Sequence, residues 1–123
     1  MAALLIVEDE PSTLEVLEII LAQEGYEVSA FLSAKKALAT LQFDSQPLPS
    51  LIISDIVMPG MNGKEFYKEL RSNSRLSMIP FLFMSAFIGV EDEQKFEEEP
   101  NTFFIRKPFD VEDLLSKIRA ILK

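Results

Sequence analysis

Short apolar runs alternate with helical periodicities along this chain. Leu4-Leu5-Ile6-Val7 is an unbroken apolar run, as expected for a strand buried on both faces, and it stops at Glu8-Asp9-Glu10-Pro11. Leu14, Leu17 and Leu21, with Val16 and Ile20 beside them, then recur at helical spacing until Gly25 supplies a stop. Residues 26–31 alternate apolar and polar, which predicts a second strand, and Ser33 is placed to cap a helix carrying Ala34, Ala37, Leu38 and Leu41. Gln46-Pro47-Leu48-Pro49 punctuates the chain before a third strand, Leu51-Ile52-Ile53, that runs into Ser54-Asp55. Residues 58–63 read as a loop in which Gly60 and Gly63 form a turn, and a helix bearing Phe66, Tyr67 and Leu70 follows. Pro80 opens a fourth strand, Phe81-Leu82-Phe83-Met84, where its missing N–H is tolerated. The acidic stretch 91–99 predicts a short, weakly amphipathic helix, and Thr102-Phe103-Phe104-Ile105 a fifth strand. Asp110 and Asp113 form a capping pair for a closing helix with Val111, Leu114, Leu115, Ile118, Ile121 and Leu122.

Five β–α units in succession imply parallel strands joined by right-handed crossovers, hence an open α/β sheet with helices on both faces. No linker or repeat divides residues 1–123, so one domain is expected. Four of the five strands end in residues capable of chemistry: Glu8-Asp9, Asp55, Ser85 and Lys107. In such a sheet the carboxyl ends of the strands share one edge, and ligands bind there. Residues far apart in sequence should therefore meet.

Composition narrows the chemistry. The chain has no Cys and no His, which removes thiol nucleophiles, disulfides, Cys-ligated metal and the commonest general base. Twenty Asp+Glu against twelve Lys+Arg leave a net charge of −8, so unaided nucleic-acid binding is disfavoured. No basic stretch precedes the first apolar run and no run approaches a membrane span; with no export signal, the cytoplasm is the expected location.

What remains is carboxylate, hydroxyl and amine. Two carboxylates about 5 Å apart repel by about 3 kcal/mol at an effective dielectric near 20. A divalent cation relieves that repulsion, and all-oxygen ligands select a hard ion, Mg²⁺ first, with Mn²⁺ or Ca²⁺ behind it. Three acids, a cation, a hydroxyl and an ammonium suit phosphoryl transfer, in which charge spreads over the oxygens of the moving group. The acceptor can be a carboxylate, already deprotonated and needing no His. Asp55, on the central strand, is the best candidate, with Glu8 and Asp9 holding the metal. Lys107 could instead snorkel to water, and Ser85 could be an ordinary strand-end hydroxyl.

At this spacing the residues resemble the receiver domain of two-component response regulators, from Leu4-Leu5-Ile6-Val7-Glu8-Asp9-Glu10 through Lys107-Pro108-Phe109 and the last helix. The resemblance implies a flavodoxin-like fold with strand order 2-1-3-4-5. It implies that Asp55 is the phosphoacceptor and that Asp9 ligates Mg²⁺ directly. Glu8 would act largely through water, and the Val57 backbone carbonyl would complete the protein ligands. Lys107 would contact the phosphoryl group, with its bond to Pro108 cis. Ser85 matches the hydroxyl that moves toward the phosphoryl group, Phe104 the aromatic that swings inward with it, and Ala86 the small residue that leaves room. A histidine kinase or His phosphotransfer protein would be the donor. The output surface would be the helix at 91–99, the fifth strand and the closing helix, acting on a partner or output domain or through a phosphorylation-dependent homodimer. Such a domain catalyses only its own modification and is not an enzyme toward a separate substrate.

This chain also departs from the family pattern. Val57 and Phe87 are apolar where polar residues can position an attacking water, which predicts a slowly hydrolysed phosphoryl group. Phe104 lacks the hydroxyl of Tyr, and Pro100-Asn101 stand where a Gly-Ala pair is usual. Three other readings compete. A phosphorylation-independent receiver-like interaction module keeps the fold without the chemistry. A phosphatase of the haloacid dehalogenase type needs a second Asp at position 57. A flavin-binding domain needs a hydroxyl- and Gly-rich loop where Glu8-Asp9-Glu10 stand. No G-x-x-x-x-G-K-[ST] motif supports an ATPase. No output domain follows the closing helix, which leaves a stand-alone receiver and a segment of a longer regulator both open.

Overall fold

The computed structural model describes residues 2–43, 47–86, 95 and 98–123. Phe87, Gln46 and most of the helix expected at 91–99 lie outside these residues. Five parallel strands form one sheet in the order β2-β1-β3-β4-β5: β1 (Ala3–Val7), β2 (Glu27–Phe31), β3 (Leu51–Asp55), β4 (Phe81–Ser85) and β5 (Thr102–Arg106). Four helices are described, α1 (Pro11–Gln23), α2 (Ala34–Leu41), α3 (Gly63–Arg71) and α4 (Val111–Leu122). Among the described residues no helix is long and apolar enough to cross a membrane.

Side chains alternate across the strands, so each apolar run feeds two cores. Leu5, Val7, Ile52, Phe81, Phe83 and Phe104 face α2 and α3. Leu4, Ile6, Leu51, Ile53, Leu82 and Met84 face α1 and α4. The first core is aromatic at its centre: Phe81 and Phe83 lie 4.5 Å apart, and Tyr67 meets both edge-on or tilted at 5.4 and 5.3 Å.

The helix ends explain where the elements stop. Ser33 accepts from the Lys36 amide, and Asp110 from the Asp113 amide at 2.8 Å; that second cap runs one way, without a reciprocal bond from the Asp113 side chain. The reciprocal box forms instead at α3, where Asn62 and Glu65 satisfy each other's amides at 2.9 and 3.0 Å. Glu10 also leaves the acidic run: its carboxylate caps α1 through the Ser12 amide at 2.9 Å, with Pro11 at the first helical position. Gly25 (φ +95°) and Gly60 (φ +75°) occupy left-handed turns. Asn101 takes the same region at φ 53°, so the departure at Pro100-Asn101 is met by the non-glycine residue best suited to it.

Gly63 differs from the turn residue expected. It opens α3 pressed against the end of β3, and its amide donates to the Ile56 carbonyl at 2.8 Å. A Cβ there would overlap the Asp55 carbonyl oxygen and lie 2.8 Å from the Ile56 Cα. Glycine is thus required by close approach, and the contact fixes the backbone that carries Asp55.

Candidate functional site

Register brings the strand-end residues together. Val7 pairs with Ser54, so Glu8 and Asp55, one residue further on, are neighbours. Asp55 pairs with Met84, placing Ser85 one step beyond it, and Ser85 pairs with Arg106, placing Lys107 one step beyond that. Backbone bonds hold the ends in place: the Glu8 amide donates to Phe31 O at 3.1 Å and the Lys107 amide to Ser85 O at 3.1 Å.

Ligand oxygens of Glu8, Asp9 and Asp55 lie within 4.8 Å of one another. Glu8 (3% exposed) and Asp55 (8%) are buried, whereas Asp9 is exposed. β5 lies two strands from β3, about 10 Å at the usual spacing, a gap closed by the lysine stem, the aspartate side chain and the hydrogen bond between them. The Lys107 Nζ reaches Asp55 Oδ2 at 2.9 Å and Glu8 Oε2 at 3.3 Å. The other Asp55 oxygen, Oδ1, accepts from the Val57 amide at 3.3 Å. The Val57 side chain itself is exposed, and nothing polar is offered there to a water. The Lys107–Pro108 bond is cis.

Electrostatics follow from this crowding. Burial, then the hydrogen bond with Asp55, pushes the Glu8 carboxyl up to about 7, although the Lys107 charge opposes the rise. For Lys107 burial pulls the other way, but the hydrogen bond and charge of Asp55, and those of Glu8, prevail and raise its pKa. The ammonium is held charged between two acids. Ser85 is buried, and Phe104 is buried in the core shared with Phe83, with the Arg106 guanidinium 5.9 Å from its ring centre.

The sequence pattern singled out these four residues, and the structure brings Glu8, Asp9 and Asp55 within ligand distance of one another and Lys107 within reach of Glu8 and Asp55. It missed Gly63, whose signal is absent from local sequence because the close contact is with a strand eight residues upstream. The all-oxygen donor set, with separations no greater than 4.8 Å and two acids already buried, fits a small hard cation.

Comparison with known proteins decides the family. The model of the response regulator receiver domain matches residues 4–119. The chain belongs to this family. Among curated relatives, the Synechocystis response regulator Rre1 is 33% identical over 98% of this chain and 51% of its own length. The Synechocystis DNA-binding dual master transcriptional regulator RpaA is 30% identical over the whole of this chain and 50% of its own. The receiver domain therefore spans about half the length of the curated relatives it matches. Among solved structures, Vibrio cholerae chemotaxis protein CheY4 superimposes with a TM-score of 0.87 at 33% identity, covering 99% of both chains. The strand order implied by the resemblance is the one observed, with described helices on both faces of the sheet.

Proposed function

We propose that residues 1–123 act as one phosphoacceptor unit, in the cytoplasm, taking a phosphoryl group from a phosphohistidine donor onto Asp55. The observation that carries the reading is the buried Asp55, within ligand distance of Glu8 and Asp9 and 2.9 Å from Lys107. An Asp55 oxygen forms the new bond to phosphorus while the donor's N–P bond breaks, and the leaving imidazole keeps its electron pair and takes up a proton. The Asp55 carboxylate is held for this by the Val57 amide on one oxygen and Lys107 on the other. Glu8, Asp9, Asp55 and the Val57 carbonyl would hold Mg²⁺, which when bound neutralises charge on the transferring oxygens.

Once phosphorylated, Asp55 loses its own charge and the phosphoryl oxygens carry nearly two. Lys107 then follows those oxygens, leaving Glu8, and the Ser85 hydroxyl becomes their nearest strand-end donor. Phe104, next to Phe83 in register, transmits the rearrangement through the aromatic core. Output passes through β5, α4 and the segment at 91–99 to a partner or output domain, or to a second copy. The donor must cover the carboxyl edge, and an apolar groove of about 470 Å³ opens there beside Lys107, walled by Val16, Leu17, Pro108 and Phe109. A donor helix or loop with an apolar patch next to its phosphohistidine fits it.

Incubation with a small phosphodonor and Mg²⁺, followed by intact mass, tests the reading. A gain of about 80 Da that is lost in Asp55→Asn is expected. No gain at any donor concentration assigns the chain to the phosphorylation-independent module instead.

A further inference from the structure

A second polar surface lies away from the acids. A groove of about 770 Å³ runs between α3 and the approach to β5, walled by Lys64, Lys68 and Arg71 on one side and Lys95 and Pro100 on the other, with Met78 on its rim. Four of the chain's twelve basic residues line it, in a molecule of net charge −8. Lys64, Lys68 and Arg71 follow one another at i, i+4 and i+7, so one face of α3 presents all three. Glu99 is the acid among the described lining residues. Among the described residues no ion pair or hydrogen bond engages the ammonium groups of Lys68 and Lys95. Met78 is 71% exposed.

We propose that this groove docks a short acidic segment of a partner protein, one that places an apolar side chain between its carboxylates. The bonding within the groove decides against a small polyanion. A compact phosphate or tricarboxylate is gripped by fixed, forked donors. The one guanidinium here is already committed, with Arg71 Nη1 on Ile79 O at 2.8 Å, Nη2 on Asn101 O at 3.1 Å, and its plane 4.7 Å over the Tyr67 ring. The Tyr67 hydroxyl is likewise bonded to Thr102 at 2.8 Å. Lys68 and Lys95 carry their charge on flexible stems on opposite walls, suited to an extended row of carboxylates. Met78 and Pro100 supply an adaptable apolar contact between them. Elsewhere the acidic surface repels such a segment, so the groove also orients its approach. The docking does not depend on phosphoryl transfer at Asp55.

The test is amide chemical-shift mapping of the whole chain with a synthetic peptide of glutamates flanking a central leucine and phenylalanine. Shifts confined to α3, Met78 and Asn101 are expected, weakening as salt is raised to about 0.15 M. The double charge reversal Lys68→Glu/Lys95→Glu, at two exposed lysines on opposite walls, should weaken binding by at least about tenfold. Its thermal unfolding and its phosphodonor mass gain should stay those of the parent chain. Shifts centred on Glu8, Asp9 and Asp55, unchanged affinity in the double variant, or equal shifts from inorganic phosphate or citrate would each overturn the proposal. The same peptide with glutamines in place of glutamates should leave the spectrum unmoved.

Discussion

At the carboxyl end of the sheet, Glu8 and Asp55 are buried side by side and share the single ammonium of Lys107. At the amino end the ionic groups are half-buried arginines, and they face backbone carbonyls. Arg71 donates to Ile79 O and Asn101 O, just ahead of β4 and β5, and Arg75 donates at 2.6 and 3.1 Å to Leu41 O and Phe43 O, where α2 ends. Charge at the amino end satisfies acceptors that the fold leaves over, so it stabilises the structure by itself. Charge at the carboxyl end is set against like charge, which Lys107 offsets only in part, so a further cation would relieve it. One end closes the sheet, and the other is kept ready for a ligand.

The largest way to break this contrast is through the glycine that supports the acids. Gly63→Ala forces a Cβ into the Asp55–Ile56 backbone, and we expect a loss of about 3 kcal/mol in thermal unfolding together with impaired phosphoryl acceptance. Unchanged stability would remove the clamp from the account. Next comes Glu8→Gln. The folded-state pKa of Glu8, about 7, lies above its ordinary 4.5, so the folded protein binds more protons between those values. Stability of the metal-free chain should therefore fall as pH rises from about 4.5 to about 7. The variant should lose this slope and exceed the parent at pH 8 by on the order of 2–3 kcal/mol, the two converging near pH 4. Mg²⁺ should restore the parent at pH 8 and do little for the variant. A parent stability that climbs over that window would falsify the buried-acid argument.

At the amino end the sign reverses. Arg71→Ala should destabilise by about 2 kcal/mol at every pH from 5 to 8, since two backbone carbonyls and the Tyr67 ring lose their partner. Denaturant titrations at several pH values check this, and a pH-dependent loss would mean that the arginine belongs to the acid network after all. The smallest effect expected is kinetic. An amide side chain two positions after Asp55 gives water a hydrogen-bonding partner that Val57 lacks, so Val57→Asn should shorten the phosphoryl lifetime several-fold, about 1 kcal/mol in barrier. The decay of the added mass after donor removal measures it, and an equal or longer lifetime in the variant speaks against the apolar shield.

Much of the site was legible because strand ends are legible. An apolar run that gives way to Glu8-Asp9, Ser54-Asp55 or Arg106-Lys107 announces the strand and the polar residues at its carboxyl end, and parallel topology gathers them. The capping box of α3 went unread: Asn62-Gly63-Lys64-Glu65 has the required three-residue spacing, but the Gly-rich loop before it makes the stretch read as a turn. Asp110 and Asp113, with the same spacing, make only one of the two bonds; the shorter aspartate is a poorer match for the reach back to the cap amide.

From its residue order alone this protein is a five-stranded parallel α/β domain, with acids and a lysine at one edge and membership of the receiver family. Periodicity and strand-end polarity are local properties and survive without coordinates. Tertiary structure alone decided that Glu8 is buried while Asp9 beside it is exposed, and that Lys107 spans two strands to hold both buried acids. It also decided that Gly63 presses on the Asp55 backbone and that the lysines of α3 face Lys95 across a groove. Each of these depends on distances between segments far apart in the chain, and such distances exist only once the sheet has formed and the helices have packed on it.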